Sequence, residues 1–67
     1  MRLVDSDGNL VVAVTHDELR LLASSIGETL EAVEEWEFST RLGFDVSAAR
    51  ALRSDINEIL ARAADAR

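Results

Sequence analysis

The chain has 67 residues, of which 48% are hydrophobic, and its thirteen acidic and seven basic residues give a net charge of −6. A chain of this length forms one small domain and buries only about 60% of the surface that its unfolded form exposes. It contains no cysteine, which excludes disulfides and thiolate metal sites, so we expect a second chain or a partner protein to reinforce the fold. The acidic balance disfavours direct binding to nucleic acid, because phosphate backbones repel such a surface.

No apolar run approaches the length of a membrane span, and the first residues lead into a turn-rich segment instead of a signal-peptide core. The sequence therefore predicts a cytoplasmic protein that does not contact the membrane and carries no cofactor.

Residues 2–14 have the pattern of a β-hairpin. The segment Asp5-Ser6-Asp7-Gly8-Asn9 lies between two aliphatic stretches, and an Asp-Gly pair in that setting indicates a hairpin turn. It does not fit a calcium-binding loop, since placing Gly8 at the sixth position leaves Val14 where the bidentate glutamate belongs. Both faces of the second strand, predicted over 10–14, are apolar, so we expect at least one helix layer to cover the hairpin.

The first helix is predicted over 16–38. Thr15 is a candidate cap, and Glu18 is placed to complete a capping box with it. Gly27 weakens the middle of the helix and suggests the close approach of another backbone. The apolar positions recur at steps of three and four and form one stripe: Leu19, Leu22, Ala23, Ile26, Leu30 and Val33.

The second helix is predicted over 46–64. Gly43 fits a left-handed turn before it, and either Asp45 or Ser47 is a suitable cap. Several apolar residues have the spacing of a coiled-coil seam and form a candidate oligomer interface: Ala49, Leu52, Ile56, Ile59 and Ala63.

A short connection makes the two helices antiparallel. The predicted fold is thus α+β, with an N-terminal β-hairpin followed by an antiparallel two-helix hairpin in a single domain over 1–67.

Glutamates crowd the end of the predicted first helix, where they oppose its macrodipole. One interpretation is local compensation, in which Glu37 pairs with Arg41 and the arginines Arg50 and Arg53 face the remaining carboxylates. The other is an acidic face for a basic partner. The candidate partner-binding residues form a set that we call the acidic aromatic segment: Glu31, Glu34, Glu35, Trp36, Glu37 and Arg41.

All three aromatic residues, Trp36, Phe38 and Phe44, lie in or just after this segment. A chain this small has few large side chains with which to close a core, so we expect the aromatics to be buried. Trp36 is the expected exception, because its neighbours Glu35 and Glu37 are charged.

The sequence does not predict an enzyme. The single histidine, His16, has no nucleophile and base beside it, and its position near a helix start is ordinary surface. No metal site is expected either.

Glu35, Phe38, Thr40, Arg41 and Gly43 form a Glu-x-x-Phe-x-Thr-Arg-x-Gly pattern, which resembles an inter-helix turn motif in a group of small uncharacterised bacterial proteins. That resemblance implies a fold more than a function. In charge and size alone, the chain is also similar to immunity proteins and antitoxins, which present carboxylates to basic nuclease toxins.

Two functional hypotheses follow. In the first, the chain is a small acidic protein–protein interaction module, such as an immunity- or antitoxin-type inhibitor of a basic partner. In the second, it is a structural subunit that assembles with itself, as a homodimer or a higher oligomer, and has no separate partner.

Overall fold

The fold comes from a computed structural model that describes residues 1–65, so the last two positions of the predicted domain lie outside the described range. Two strands precede three helices: β1 (Arg2–Asp5), β2 (Val11–Ala13), α1 (His16–Ala32), α2 (Glu35–Leu42) and α3 (Val46–Asp65). This order confirms the predicted α+β class, with a β-hairpin followed by helices that pack as a hairpin.

The hairpin forms around the predicted turn. Strands β1 and β2 are antiparallel, with Leu3 opposite Val12, and a bulge interrupts the pairing between Leu3 and Asp5. Gly8 has a φ of 92°, a value that glycine adopts without strain. The Asp7 amide donates a hydrogen bond of 3.0 Å to the Asp5 carboxylate, so a side chain of the predicted turn helps to shape it.

The expectation that a helix covers the hairpin is wrong. Every residue from Met1 to Val12 is exposed, and the main contacts of the helices are with one another. Helix α1 packs mainly on α3, and Ala23 is the one residue of its apolar stripe that is buried. A polar tether links the two parts, since the Met1 ammonium donates to the Glu18 carboxylate.

Helix α1 begins with the predicted capping box. The Thr15 hydroxyl accepts a hydrogen bond of 3.0 Å from the Glu18 amide, and the Glu18 carboxylate accepts one of 2.8 Å from the Thr15 amide. Together with the Met1 ammonium, which is the largest contributor, these bonds lower the pKa of Glu18 to about 2. The helix start is thus held by a carboxylate that stays ionised far into the acid range.

The first helix ends at Ala32, so the prediction of one helix over 16–38 is wrong in its second half. Val33 and Glu34 are extended, with ψ of 127° and 141°, and α2 begins at Glu35. The break relieves the conflict with the macrodipole for two of the glutamates. Glu35 and Glu37 now lie in the first turn of a new helix, where negative charge is favourable, instead of the last turn of an old one.

The link between α2 and α3 follows the sequence signals. Gly43 adopts a left-handed conformation with φ of 80° and caps α2. Asp45 provides the cap of α3, accepting hydrogen bonds of 2.8 Å from the Ser47 hydroxyl and 3.0 Å from the Ala48 amide. These two bonds, in that order of size, lower the pKa of the Asp45 carboxyl.

The core lies where the three helices meet. Helix α1 packs along α3, and the short α2 closes one end of the pair. The buried hydrophobic side chains are few: Ala23, Phe38, Val46 and Ile56. Phe38 is the only large side chain among residues 1–65 that is fully buried, with 1% of its surface exposed.

Candidate functional site

The break between α1 and α2 spreads the acidic aromatic segment over two helices. Glu31 lies in the last turn of α1, Glu34 is the N-cap of α2, and the other members lie on α2 itself. All of them are exposed except Glu37, which is half-buried. The segment therefore forms an outer surface at the end of the helical unit.

Within α2 the aromatic side chains take opposite roles. Trp36 is 79% exposed and Phe38 is 1% exposed, because residues two apart on a helix point to nearly opposite sides. The prediction is thus confirmed for buried Phe38 and for Trp36 as the exception. It is wrong for Phe44, which is 70% exposed because it follows the left-handed Gly43 in the short link before α3.

The charges of the segment are largely left without ion pairs. Glu37 and Arg41 approach to 4.0 Å, as the local-compensation hypothesis predicts. In the described part of the chain, however, neither Arg50 nor Arg53 forms an ion pair. Both arginines do line a recess with Glu31, so they face a carboxylate without pairing with it, while the start of α2 compensates Glu35 and Glu37.

Arg53 has a different role. Its guanidinium lies over Gly27, with two atoms 3.1 Å from the point where a Cβ would be. The predicted close approach at Gly27 is real, but a side chain makes it and a backbone does not. Gly27 provides the space for this contact between α1 and α3.

An apolar groove lies beside the segment, on the side of α2 that carries Phe38. Its volume is about 380 Å³, and its wall is made of side chains from all three helices and the link before α3: Ile26, Phe38, Leu42, Phe44, Ala48, Ala49 and Leu52. Sequence reasoning missed this groove. The sequence signal for the groove was the apolar pair Leu42 and Phe44, which lie on either side of the turn residue Gly43.

A smaller polar recess lies between α2 and the start of α3. Its volume is about 310 Å³, and it brings Glu35 and Arg50 to the same hollow without an ion pair between them. The two sides of α2 thus differ in chemistry, one apolar and the other charged.

The predicted oligomer seam on the last helix is divided between core and surface. Ile56 is buried and Ala49 is half-buried within the chain itself, whereas Leu52, Ile59 and Ala63 are exposed. Of the seam residues, Ala49 and Leu52 line the apolar groove.

His16 is exposed at the first position of α1. Across residues 1–65, no three histidine or acidic side chains are grouped so as to hold a metal ion. Of the helices in this range, none is both long and apolar enough to span a membrane.

Helix α2 thus carries an exposed indole and carboxylates on one side and an apolar groove on the other. Comparison of the chain with protein-family models, curated proteins and solved structures finds no significant match.

Proposed function

We propose that the chain is a small acidic protein–protein interaction module that binds a basic partner through the acidic aromatic segment. The observation that carries this proposal is Trp36, whose side chain is 79% exposed although it is the only tryptophan of a chain with a very small core. Tryptophan is among the residues most enriched in binding hot spots.

The charges around Trp36 support a basic partner. Glu31, Glu34 and Glu35 are exposed, and none of them forms an ion pair with the described residues. Their carboxylates are therefore available to arginine or lysine side chains of another protein. Such complementarity mainly raises the association rate and the specificity of a complex.

The apolar groove supports the same proposal. It lies on the opposite side of α2 from Trp36 and exposes Leu42, Phe44 and Leu52, so it offers a protein partner a second, apolar contact around the helix from the charged one. An inhibitor of immunity or antitoxin type, which covers a basic active surface with carboxylates, fits this description.

The test is capture of partners from the native lysate with the tagged protein, at low and at moderate salt, followed by mass spectrometry. The first variant reverses Glu31, Glu34 and Glu35 to lysine, and the second is Trp36→Ala. We expect one basic protein that is retained by the wild type, weakened by salt and lost from both variants.

A matched control reverses three exposed acids outside the segment, Asp7, Asp17 and Asp55, to lysine. This control changes the net charge by the same amount and leaves the proposed surface intact, so it should retain the partner. Equal loss from both triple variants would show that only net charge matters and would refute a specific site.

The alternative function is a self-assembling subunit. The exposed Leu52 and Ile59 on α3 favour it, because apolar side chains in a row on a helix are a typical oligomer seam. Recovery of untagged copies of the chain alone, with no change in the Glu→Lys variant, would favour this alternative over the binding module.

A further inference from the structure

The chain exposes more surface than a folded monomer of its size. Its accessible surface is 5446 Å², whereas a monomer of 7.3 kDa is expected to expose roughly 4,200 Å². The radius of gyration is 13.7 Å, against about 11 Å for a compact domain of this length. The excess of about 1,300 Å² exceeds the roughly 800 Å² that each partner buries in a standard interface.

Much of the uncovered apolar surface belongs to the hairpin. Large hydrophobic side chains of its strands and of the residues beside them are exposed, up to 74% for Leu10: Met1, Leu3, Val4, Leu10, Val11 and Val12. A hairpin of two strands is marginally stable in water when it stands alone. The four-residue β1 and three-residue β2 therefore need a further layer or a further strand.

The two outer edges of this hairpin differ in how open they are to a further strand. Strand β1 carries Arg2 and Asp5 and is interrupted by a bulge, and charges and bulges are the devices that protect an edge. Strand β2 and its flanks, residues 10–14, contain no charge, no glycine and no proline. Its outer edge has no partner strand in the two-stranded sheet, so β2 presents an unprotected edge.

We propose that β2 pairs with β2 of a second copy of the chain, antiparallel and about a two-fold axis. The result is a four-stranded sheet in the order β1-β2-β2-β1. The open edge of β2 in each copy gains a partner strand, and the protected β1 strands lie outside. Because β2 runs from Val11 to Ala13, a symmetric pairing places its central residue, Val12, opposite itself.

This pairing also joins the apolar faces of the two hairpins. Leu3 is opposite Val12 within one hairpin, and cross-strand neighbours share a face. The dimer therefore aligns Leu3 and Val12 of one copy with Val12 and Leu3 of the other in a continuous apolar row. The proposal is independent of the acidic aromatic segment, which lies on the helices.

The first test uses charge at the symmetry axis. The variants Val12→Lys and Val12→Glu each place like charges opposite one another, so each alone should be monomeric by sedimentation at concentrations where the wild type is a dimer. An equimolar mixture of the two should recover the dimer, because lysine then faces glutamate. Helical content should be unchanged, since the main packing of the helices does not involve the hairpin.

The second test uses the absence of cysteine from the chain. Antiparallel neighbours have Cα atoms about 4.5–5.5 Å apart, within the range of a disulfide, so Val12→Cys should form a covalent dimer on mild oxidation at low protein concentration. Ser6→Cys, at the hairpin turn, should remain mainly monomeric under the same conditions.

A wild type that stays monomeric over the concentrations tested would overturn the proposal. So would a Val12→Lys variant that remains a dimer while Leu52→Lys is monomeric, because that result assigns the contact to α3. Equal crosslinking of the two cysteine variants would show only random collision and would count against the pairing.

Discussion

Replacement of Phe38 by alanine tests whether the fold depends on one buried aromatic. Phe38 is 1% exposed, and a phenylalanine buries roughly 150–250 Å², which at about 25 cal/mol per Å² corresponds to roughly 4–6 kcal/mol. Measured Phe→Ala losses are about 3–5 kcal/mol. A chain of 67 residues has a total stability of roughly 3–10 kcal/mol, so Phe38→Ala should remove a large part of it.

The matched control is Trp36→Ala, which removes a larger side chain from the same helix. Since Trp36 is 79% exposed, its removal should change the free energy of unfolding by less than about 0.5 kcal/mol. Both variants, and a milder Phe38→Leu, are compared by urea unfolding followed by circular dichroism at one fixed protein concentration, so that association does not distort the comparison.

The order of losses is the decisive result. We expect Phe38→Ala to be the most damaging, Phe38→Leu intermediate and Trp36→Ala close to the wild type. Equal losses for Trp36→Ala and Phe38→Ala would refute the division of α2 into a core side and a contact side. The fluorescence of the single tryptophan gives a second check, because it should already be that of a solvated indole in the folded wild type.

Two further predictions concern helix α1 and the cap of α3. Gly27→Ala should stabilise the chain by up to about 1 kcal/mol through helix propensity. The Arg53 guanidinium lies 3.1 Å from the position of the new Cβ, but it is the far end of a flexible side chain and moves aside. A lower melting temperature for this variant would show that the guanidinium is fixed. The pKa of the Asp45 carboxyl is lowered in the folded chain. The ionised carboxylate therefore stabilises the fold above its usual pKa of 3.8, and this stabilisation is lost as the pH falls through the lower pKa of the folded state. Asp45→Asn should abolish this part of the sensitivity to acid. Thermal unfolding of wild type and Asp45→Asn from neutral to acid pH checks this, and parallel curves throughout would contradict it.

Local signals in the sequence were reliable where one or two side chains determine the backbone. The capping box of Thr15 and Glu18 and the left-handed Gly43 form as predicted, and Asp45 is the one of the two candidate caps, Asp45 and Ser47, that forms. Each depends on hydrogen bonds or dihedral preferences within four residues. Such interactions need no knowledge of the tertiary fold.

The break at Glu34 was not predicted, although its cause is visible in the sequence. The glutamates oppose the macrodipole at the end of a long helix, and the sequence suggests compensation by Arg41, Arg50 and Arg53 or by a basic partner. The chain instead ends the helix and starts another, which reverses the sign of the dipole interaction for Glu35 and Glu37. Apolar periodicity continues across the break, so the pattern alone gives no boundary there.

Exposure was the least predictable property. The hairpin has the apolar faces of a covered sheet, yet it is uncovered within one chain, and Phe44 is exposed although aromatic residues are usually buried. Apolar periodicity identifies the side chains that are suited to burial. It does not say whether the same chain or a second chain buries them. The same limit applies to the apolar groove, which forms only when side chains of all three helices come together.

The order of the elements has a consequence for the kinetics of folding. Few contacts join residues that are far apart in the sequence, and the α1–α3 pair closes over the short α2. Such low contact order is typical of domains that fold in microseconds to milliseconds. The chain also has no proline and no cysteine, which removes the two common covalent sources of slow refolding phases. A slow phase in refolding should therefore depend on protein concentration, and its rate would report the meeting of two chains.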